Sequence, residues 1–288
     1  MPAEEVATLG HLLARGTRTL TGTVDAPRGE AARLWSDLSG RTAGEAWLHG
    51  DQAVPPEVAD RFRRAVERRR DGWPAAYATG RAGFRHLVLQ VEPGVLIPRP
   101  ETEGLVDRVL EQAPDRGTVV ELGVGSGCIL LSLATEGTFR RLVGVERSPV
   151  ALAVARRNQA VLAPDAPIEW WGGNWCEPLQ GERFDVVVSN PPYLTDAEYE
   201  ALDPSVRDHE PREALVGGPD GLDPIRSIAG DARRVLNAGG VLVLEIDAGR
   251  GGATRDLVRQ AGFHGVRVER DLFGRDRYLL ATWPGPVA

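Results

Sequence analysis

The pattern of this 288-residue chain predicts an α/β fold: a mostly parallel sheet covered by helices on both faces, preceded by a small helical domain. Three observations carry that expectation. From about residue 100 onward, short apolar runs alternate with helical stretches, the signature of strands joined by crossover helices. Residues 1–78 hold helix signals and almost no strand signals. The last two apolar runs are separated only by the turn-rich segment Asp271–Asp276, which has no room for a crossover helix, so they should pair antiparallel.

The elements follow in order. Leu9, Leu12 and Leu13 recur at helical spacing, a turn at Asp25–Gly29 precedes a helix over Ala31–Leu38, and Pro55-Pro56 opens a helix to about Arg70. Phe84, Leu87, Leu89 and Val91 alternate, and Pro93-Gly94 turns into Val95-Leu96-Ile97, so residues 79–97 read as a β-hairpin linker. Strands are expected at Thr118–Leu122, Arg141–Glu146, Ile168–Trp171, Phe184–Ser189 and Gly240–Ile246. Helices are expected at Cys128–Ala134, Val150–Val161 and Pro224–Leu236, and the closing strands at Val266–Glu269 and Arg277–Thr282. The expected division is 1–78, 79–97 and 98–288.

Composition narrows the function classes. Apolar residues are 42% of the chain, enough for a sizeable core. Acidic residues exceed basic ones by 41 to 34, which argues against a protein that coats nucleic acid or an anionic membrane. All 34 basic residues are Arg, so a catalytic lysine, Schiff-base chemistry and a Walker-type lysine are excluded. Met1 to Gly10 lacks the apolar core of a signal peptide, and the longest apolar runs, about six residues, fall far short of the ~20 a membrane helix needs. Cys128 and Cys176 are far apart, the five histidines are scattered, and no metal site is implied. A cytoplasmic protein is expected. The basic run from Arg61 to Arg70 reads as a solvated helix face partly balanced by Glu57, Asp60 and Glu67.

Three motifs carry chemistry. Val119-Val-Glu-Leu-Gly-Val-Gly-Ser-Gly127 runs a strand into a glycine turn and then a helix. Gly123, Gly125 and Gly127 let backbone approach a ligand, and Glu121 can accept from an amino or hydroxyl group. The same pattern also serves as a tight strand-to-helix turn. Leu142-Val-Gly-Val-Glu146 ends in a carboxylate 19 residues after Gly127, where a ribose diol is commonly held; alternatively Glu146 is a solvated strand end. Together these two features point to an adenosine-containing ligand. Ser189-Asn-Pro-Pro-Tyr193 follows an apolar strand. Its prolines remove two backbone donors and stiffen the loop, fixing Asn190 and the Pro191 carbonyl as an acceptor pair for an –NH2 group. Tyr193 offers an aromatic face to the substrate or to a sulfonium. A rigid turn is the simpler alternative.

Taken together, the three motifs resemble S-adenosylmethionine-dependent N-methyltransferases of planar amino groups. Ile97-Pro-Arg-Pro-Glu-Thr-Glu103 and Glu210-Pro-Arg-Glu-Ala-Leu-Val-Gly-Gly-Pro-Asp-Gly-Leu222 narrow the likeness to the HemK/PrmC family of release-factor glutamine N5-methyltransferases, and Ala75-Ala-Tyr-Ala-Thr-Gly-Arg81 resembles that family's N-terminal domain. The resemblance implies a Rossmann-like methyltransferase sheet, S-adenosyl-L-methionine as cofactor with S-adenosyl-L-homocysteine as product, and a release factor as protein partner. No membrane and no direct nucleic-acid substrate are expected. It assigns the cofactor to Glu121, Gly123, Val124, Gly125, Ser126, Gly127, Glu146, Trp175 and Asn190, and the glutamine side chain to Asn190, Pro191, Pro192 and Tyr193. Chemistry falls to Asn190, Pro191 and Tyr193. The chain departs from the family pattern at Glu146 and Asn174, where Asp is usual, and at His209, Asp247 and Arg250. An amino-group methyltransferase acting on a nucleic-acid base, another protein or a small molecule is the alternative.

Overall fold

The computed structural model describes residues 8–286. Up to residue 7, the Met1 to Gly10 stretch expected to lack a signal segment lies outside the described residues.

The chain forms two units. The first comprises the chain up to Ala82 with Val91–Pro93 and Asp203–His209. It holds helices α1 (Leu9–Leu20), α2 (Pro27–Ser39), α3 (Ala43–Leu48), α4 (Pro56–Arg70) and α5 (Ala75–Thr79). Helix α1 starts where the Thr8 hydroxyl accepts from His11 N–H, and α4 starts on a proline, whose missing donor costs nothing in a first turn. Their apolar faces close a core that includes Leu13, Leu34, Trp35 and Phe62, with the Trp35 and Phe62 rings edge to face at 6.0 Å. A Cβ on Gly16 would stand 3.0 Å from the Phe62 ring, so α1 and α4 approach closely at this glycine. The arginines of α4 are partly compensated. Arg63 pairs with Asp60, and Arg69 meets Glu30 of α2 at 2.5 Å.

The second unit comprises Gly83–Gln90, Gly94–Leu202 and the chain from Glu210 onward. In chain order the hairpin strands are β1 (Arg81–Phe84) and β2 (Leu87–Gln90), followed by α6 (Pro100–Gln112), β3 (Thr118–Leu122), α7 (Cys128–Glu136), β4 (Arg141–Glu146), α8 (Pro149–Leu162), β5 (Ile168–Gly172) and β6 (Phe184–Ser189). Short helix α9 (Asp196–Glu200) comes next, then α10 (Pro204–Arg207), which belongs to the first unit, and then α11 (Asp223–Val235), β7 (Leu236–Glu245), α12 (Gly251–Gln260), β8 (His264–Arg270) and β9 (Asp276–Thr282). Seven strands make one sheet in the order β5-β4-β3-β6-β7-β9-β8. The pairs from β5 to β7 are parallel; β7–β9 and β9–β8 are antiparallel, as the short C-terminal connection requires.

The inner strands are buried on both faces and alternate between two cores. Val120, Val143 and Val187 face a core shared with Ile225 and Ile228 of α11 and Val258 of α12. Val119, Leu142 and Val186 face another shared with Leu105 of α6 and Ile129 of α7. Helices therefore cover the sheet on both sides.

Val95-Leu96-Ile97, expected to continue the hairpin, is not a strand. Pro93, Pro98 and Pro100 surround it with residues that cannot donate to a ladder. The Ile97 N–H donates instead to Glu210 Oε2 at 3.0 Å, and Val95 packs on Ala151 and Val154 of α8. The hairpin turns earlier, at Arg85-His86, with Arg85 left-handed at φ 51°. Strand β7 also begins sooner than expected, at Leu236.

A buried amide ties this scaffold to the glycine turn. Asn158 of α8, 1% exposed, accepts from Gln90 N–H at 2.8 Å and donates to the carbonyls of Gln90 at 3.0 Å and Ser126 at 2.9 Å. Asn158→Ala leaves these buried groups without partners, so the expected loss of stability is roughly 2–3 kcal/mol. A lowered denaturation midpoint at constant m-value is the measurement.

Candidate active site

Strands β4, β3 and β6 are neighbours and parallel, so their carboxyl ends lie side by side. From β3 the chain moves outward through β4 to β5, then returns to the other side of β3 as β6. That reversal opens a crevice at the strand ends, the usual binding place in an open α/β sheet. A cavity of about 450 Å³ occupies it. A second, of about 40 Å³, reaches Glu121, Thr102 and Asn190.

The glycine turn follows β3. Gly123, Gly125 and Gly127 adopt φ of 78°, 54° and 82°, a region that side chains strain. The three glycines serve different ends. A Cβ on Gly125 would project into open space within the cavity, so this backbone is bare toward a ligand. A Cβ on Gly127 would stand 3.2 Å from Ala155 and from Trp170, so Gly127 serves helix packing and lines neither cavity. Gly123 lines both cavities. Val124 and Ser126 are buried and line only the smaller one.

Glu146, at the end of β4, lines the larger cavity and is 9% exposed. Its Oε2 accepts from Gly125 N–H at 3.0 Å and its Oε1 from Ser148 N–H at 2.8 Å. A carboxylate has about four acceptor positions, so one on each oxygen is left for a diol. Glu121 is fully buried and accepts from the Leu130 N–H of α7 at 3.2 Å. Burial pushes its carboxyl well above the usual range. Trp175 lines the cavity beside Asn174, in a left-handed conformation (φ 45°) that a bulky side chain adopts only under constraint from its surroundings.

The Asn-Pro-Pro-Tyr loop leaves β6 beside the glycine turn. Ser189 Oγ donates to Leu122 O at 2.6 Å and so ties the end of β6 to that of β3. Leu194 N–H donates to Leu215 O at 2.9 Å, and Gly217 N–H to Leu194 O at 2.7 Å, which seats the loop on the segment from Glu210. A Cβ on Gly217 would lie 2.5 Å from Pro192 O, so this contact requires glycine. Asn190 lines both cavities and Pro192 the larger. Pro191 and Tyr193 line neither; the Tyr193 hydroxyl instead points at Glu245 Oε1, 3.5 Å away. The aromatic face expected of Tyr193 thus lies outside these cavities, because its hydroxyl is drawn to a buried acid.

Two family models match the chain: one described as PrmC N-terminal domain, over residues 11–80, and one as Methyltransferase small domain, over residues 101–204. A release factor glutamine methyltransferase from Moorella thermoacetica is 39% identical over 278 residues, covering 95% of this chain and 98% of the relative. Another, from Geobacter sulfurreducens, is 38% identical over 272 residues, covering 94% and 93%. The chain belongs to the release factor glutamine methyltransferase family. A solved methyltransferase from Pyrococcus furiosus shares the fold, with a TM-score of 0.52 and 18% identity over 69% of this chain and 89% of that one.

Three of the residues singled out as departures, His209, Asp247 and Arg250, have local partners. His209 packs against Trp73 with ring centroids 4.8 Å apart and ring planes tilted by 57°, so its imidazole packs as an aromatic side chain would. Arg250 bonds Glu198 at 2.7 Å, Asp247 at 2.9 Å and the Asp220 carbonyl at 2.8 Å, and neither Arg250 nor Asp247 lines the two cavities. Trp170 packs in the core with its indole N–H on Gln159, and Trp171 lies beneath Arg141. Burial pushes the Cys128 thiol up, as for an inert packed cysteine.

Four residues here went unassigned in the motif reading. Glu210, with a fully buried side chain, pairs with Arg99 at 2.5 Å and receives Ile97 N–H. Asn158 holds the glycine turn. Thr102 accepts from Asn190 Nδ2 at 3.0 Å, and the buried Glu245 accepts from the Tyr193 hydroxyl at 3.5 Å. Glu210 and Thr102 fall inside segments quoted for the resemblance, whereas Asn158 and Glu245 sit in ordinary helix and strand patterns. Among the described residues no group of three His, Cys, Asp or Glu side chains is arranged to hold a metal, and no helix is long and apolar enough to cross a membrane.

Proposed function

We propose that this chain transfers a methyl group from S-adenosylmethionine to the side-chain amide nitrogen, N5, of a glutamine in a peptide chain release factor. One observation carries the reading. Asn190 and Pro192 of the Asn-Pro-Pro-Tyr loop, the bare glycine turn and the Glu146 carboxylate line one crevice at the ends of three adjacent strands.

The cofactor suits the residues present. Gly125 leaves an open cradle, Glu146 keeps acceptor positions for a ribose diol, and Trp175 offers an apolar wall. Gly123, Val124, Ser126, Gly127 and Glu121 hold the turn and the strand end that shape this cradle. Bound there, S-adenosylmethionine supplies an electrophilic methyl carbon on a sulfonium.

The chain's own contribution is orientation. An amide nitrogen is a weak nucleophile because its lone pair is shared with the carbonyl. Asn190 Oδ1 and the Pro191 carbonyl accept its two hydrogens, pin the nitrogen and favour pyramidalisation. Pro192 stiffens the pair and Tyr193 anchors the end of the loop. With S-adenosylmethionine bound, its sulfur would leave as a neutral thioether as the methyl carbon joins the nitrogen, and the amide proton would pass to solvent once the methylated nitrogen is strongly acidic, so no strong base is needed beforehand. Such positioning can supply ~7–11 kcal/mol of the barrier. The helical front domain, about residues 1–78, recognises the protein partner, and residues 98–288 hold the chemistry. Action in the cytoplasm agrees with two free, buried cysteines.

Gly125→Val fills the cradle and is expected to abolish S-adenosylmethionine binding in calorimetry; unchanged affinity would remove Gly125 from the site. Asn190→Ala removes one acceptor and leaves the cradle intact. Its single-turnover methyl transfer at saturating cofactor and release factor is expected to fall ~10²–10³-fold, with little change in substrate affinity. Wild-type rates would reduce the loop to a rigid turn.

A further inference from the structure

Arg250 stands at the start of α12 and lines neither cavity, yet its guanidinium joins three segments. Nη2 donates to both carboxylate oxygens of Glu198 in α9, at 2.9 and 2.7 Å. Nε donates to the Asp220 carbonyl at 2.8 Å. Nη1 pairs at 2.9 Å with Asp247, just past the end of β7. Two of these segments flank the Asn-Pro-Pro-Tyr loop. Helix α9 begins at its cap Thr195, shortly after Tyr193, and Glu198 closes that cap by accepting from the Thr195 N–H at 2.8 Å and from its hydroxyl at 2.9 Å. Asp220 precedes Gly221, which lies so close to the loop that a Cβ there would collide with the Tyr193 carbonyl oxygen. Gly217, in the same stretch, packs on the Pro192 carbonyl.

We propose that Arg250 is a positioning residue for the acceptor loop: its guanidinium clamps the two segments that flank Pro191 to Tyr193 onto the end of β7, and so fixes where Asn190 and the Pro191 carbonyl stand. The inference rests on the function proposed above. The paired prolines stiffen the loop but remove N–H groups by which it could be tied to its surroundings. Its place is therefore set by the glycines against its carbonyls and by the helix that follows it. Both supports meet at Arg250. A guanidinium carries its donors in a rigid planar fork, so bonds to Glu198, Asp220 and Asp247 together hold three segments at a fixed spacing, which the point charge of an ammonium does not.

Stability alone does not account for the arrangement. The side chains of Glu198 and Asp247 are 44% and 26% exposed, and ion pairs so open to solvent add little to folding. Misplacing a reacting group's support by about 1 Å, in contrast, can cost ~10²-fold in rate. Arg250 and Asp247 are both departures from the family pattern, and they bond each other, so the clamp is a feature of this chain's own sequence.

The test is single-turnover methyl transfer to intact release factor at saturating cofactor, with cofactor Kd from calorimetry and stability from thermal denaturation. Arg250→Met keeps most of the length and removes every donor. It is expected to slow transfer about 30-fold, with cofactor Kd within about twofold of wild type and a denaturation midpoint within a few degrees of it. A double-mutant cycle with Asn190→Ala distinguishes positioning of the acceptors from general support of the fold. With one acceptor already gone, adding Arg250→Met to Asn190→Ala should cost less than about 5-fold. A wild-type rate for Arg250→Met, a slow rate accounted for by lost cofactor affinity, or the same loss with and without Asn190 would overturn the assignment. If Arg250→Met fails to fold, Arg250→Lys, which keeps the charge but not the fork, takes its place in the cycle. Its smaller loss should likewise shrink beside Asn190→Ala, and additivity there would overturn the assignment too. Failure of the function itself would look different: the wild-type enzyme would leave release factor unmethylated.

Discussion

Strand β3 is the constraint on which the catalytic unit depends. All five of its side chains are buried, and both its edges are paired in parallel, to β4 and to β6. A strand so enclosed has little freedom to slip, because a shift of one residue would exchange the faces of every side chain. Its register aligns Leu122 with Val145 of β4 and Glu121 with Val188 of β6. The next residues along the chain are then Gly123, Glu146 and Ser189, and Asn190 follows. The hydrogen bond from Ser189 to Leu122 closes the two strand ends together. Packing in the middle of the sheet thus sets the spacing of the polar groups at its end.

Polar groups placed so deep need partners, and the structure supplies them from elements distant in sequence. Asn158 satisfies the backbone of β2 and of the glycine turn. Glu210 satisfies Arg99 and the backbone of Ile97, 113 residues away. Two acids, Glu121 and Glu245, stay buried at strand ends with carboxyls pushed upward by desolvation. A buried carboxylate is costly unless it is hydrogen-bonded, paired or neutralised. Glu121 satisfies the N–H of Leu130 at the start of α7, and Glu245 accepts from the Tyr193 hydroxyl at the end of the Asn-Pro-Pro-Tyr loop.

Much of this was legible in the sequence because it is local. The alternation of β-branched strands with helices, the three glycines and the paired prolines depend on neighbours in the chain, and the strands Thr118–Leu122, Arg141–Glu146 and Phe184–Ser189 appear where periodicity puts them. The segment Val95–Ile97 misled because its apolar residues resemble a strand, while the prolines around it and the demand of Glu210 for a donor decide otherwise. Glu245 and Asn158 were illegible for the converse reason. Nothing beside them in sequence reveals that the fold surrounds each with groups from other elements. Tyr193 shows the same limit: its place after the prolines could be read, but the acid that turns its hydroxyl comes from β7.

The most direct measurement is mass spectrometry of purified release factor incubated with this protein and S-adenosylmethionine carrying an isotopically labelled methyl group. The account predicts one labelled methyl on the side-chain nitrogen of a single glutamine, formed equally well after nuclease treatment. Unmodified release factor, or label transferred to nucleic acid instead, would contradict it.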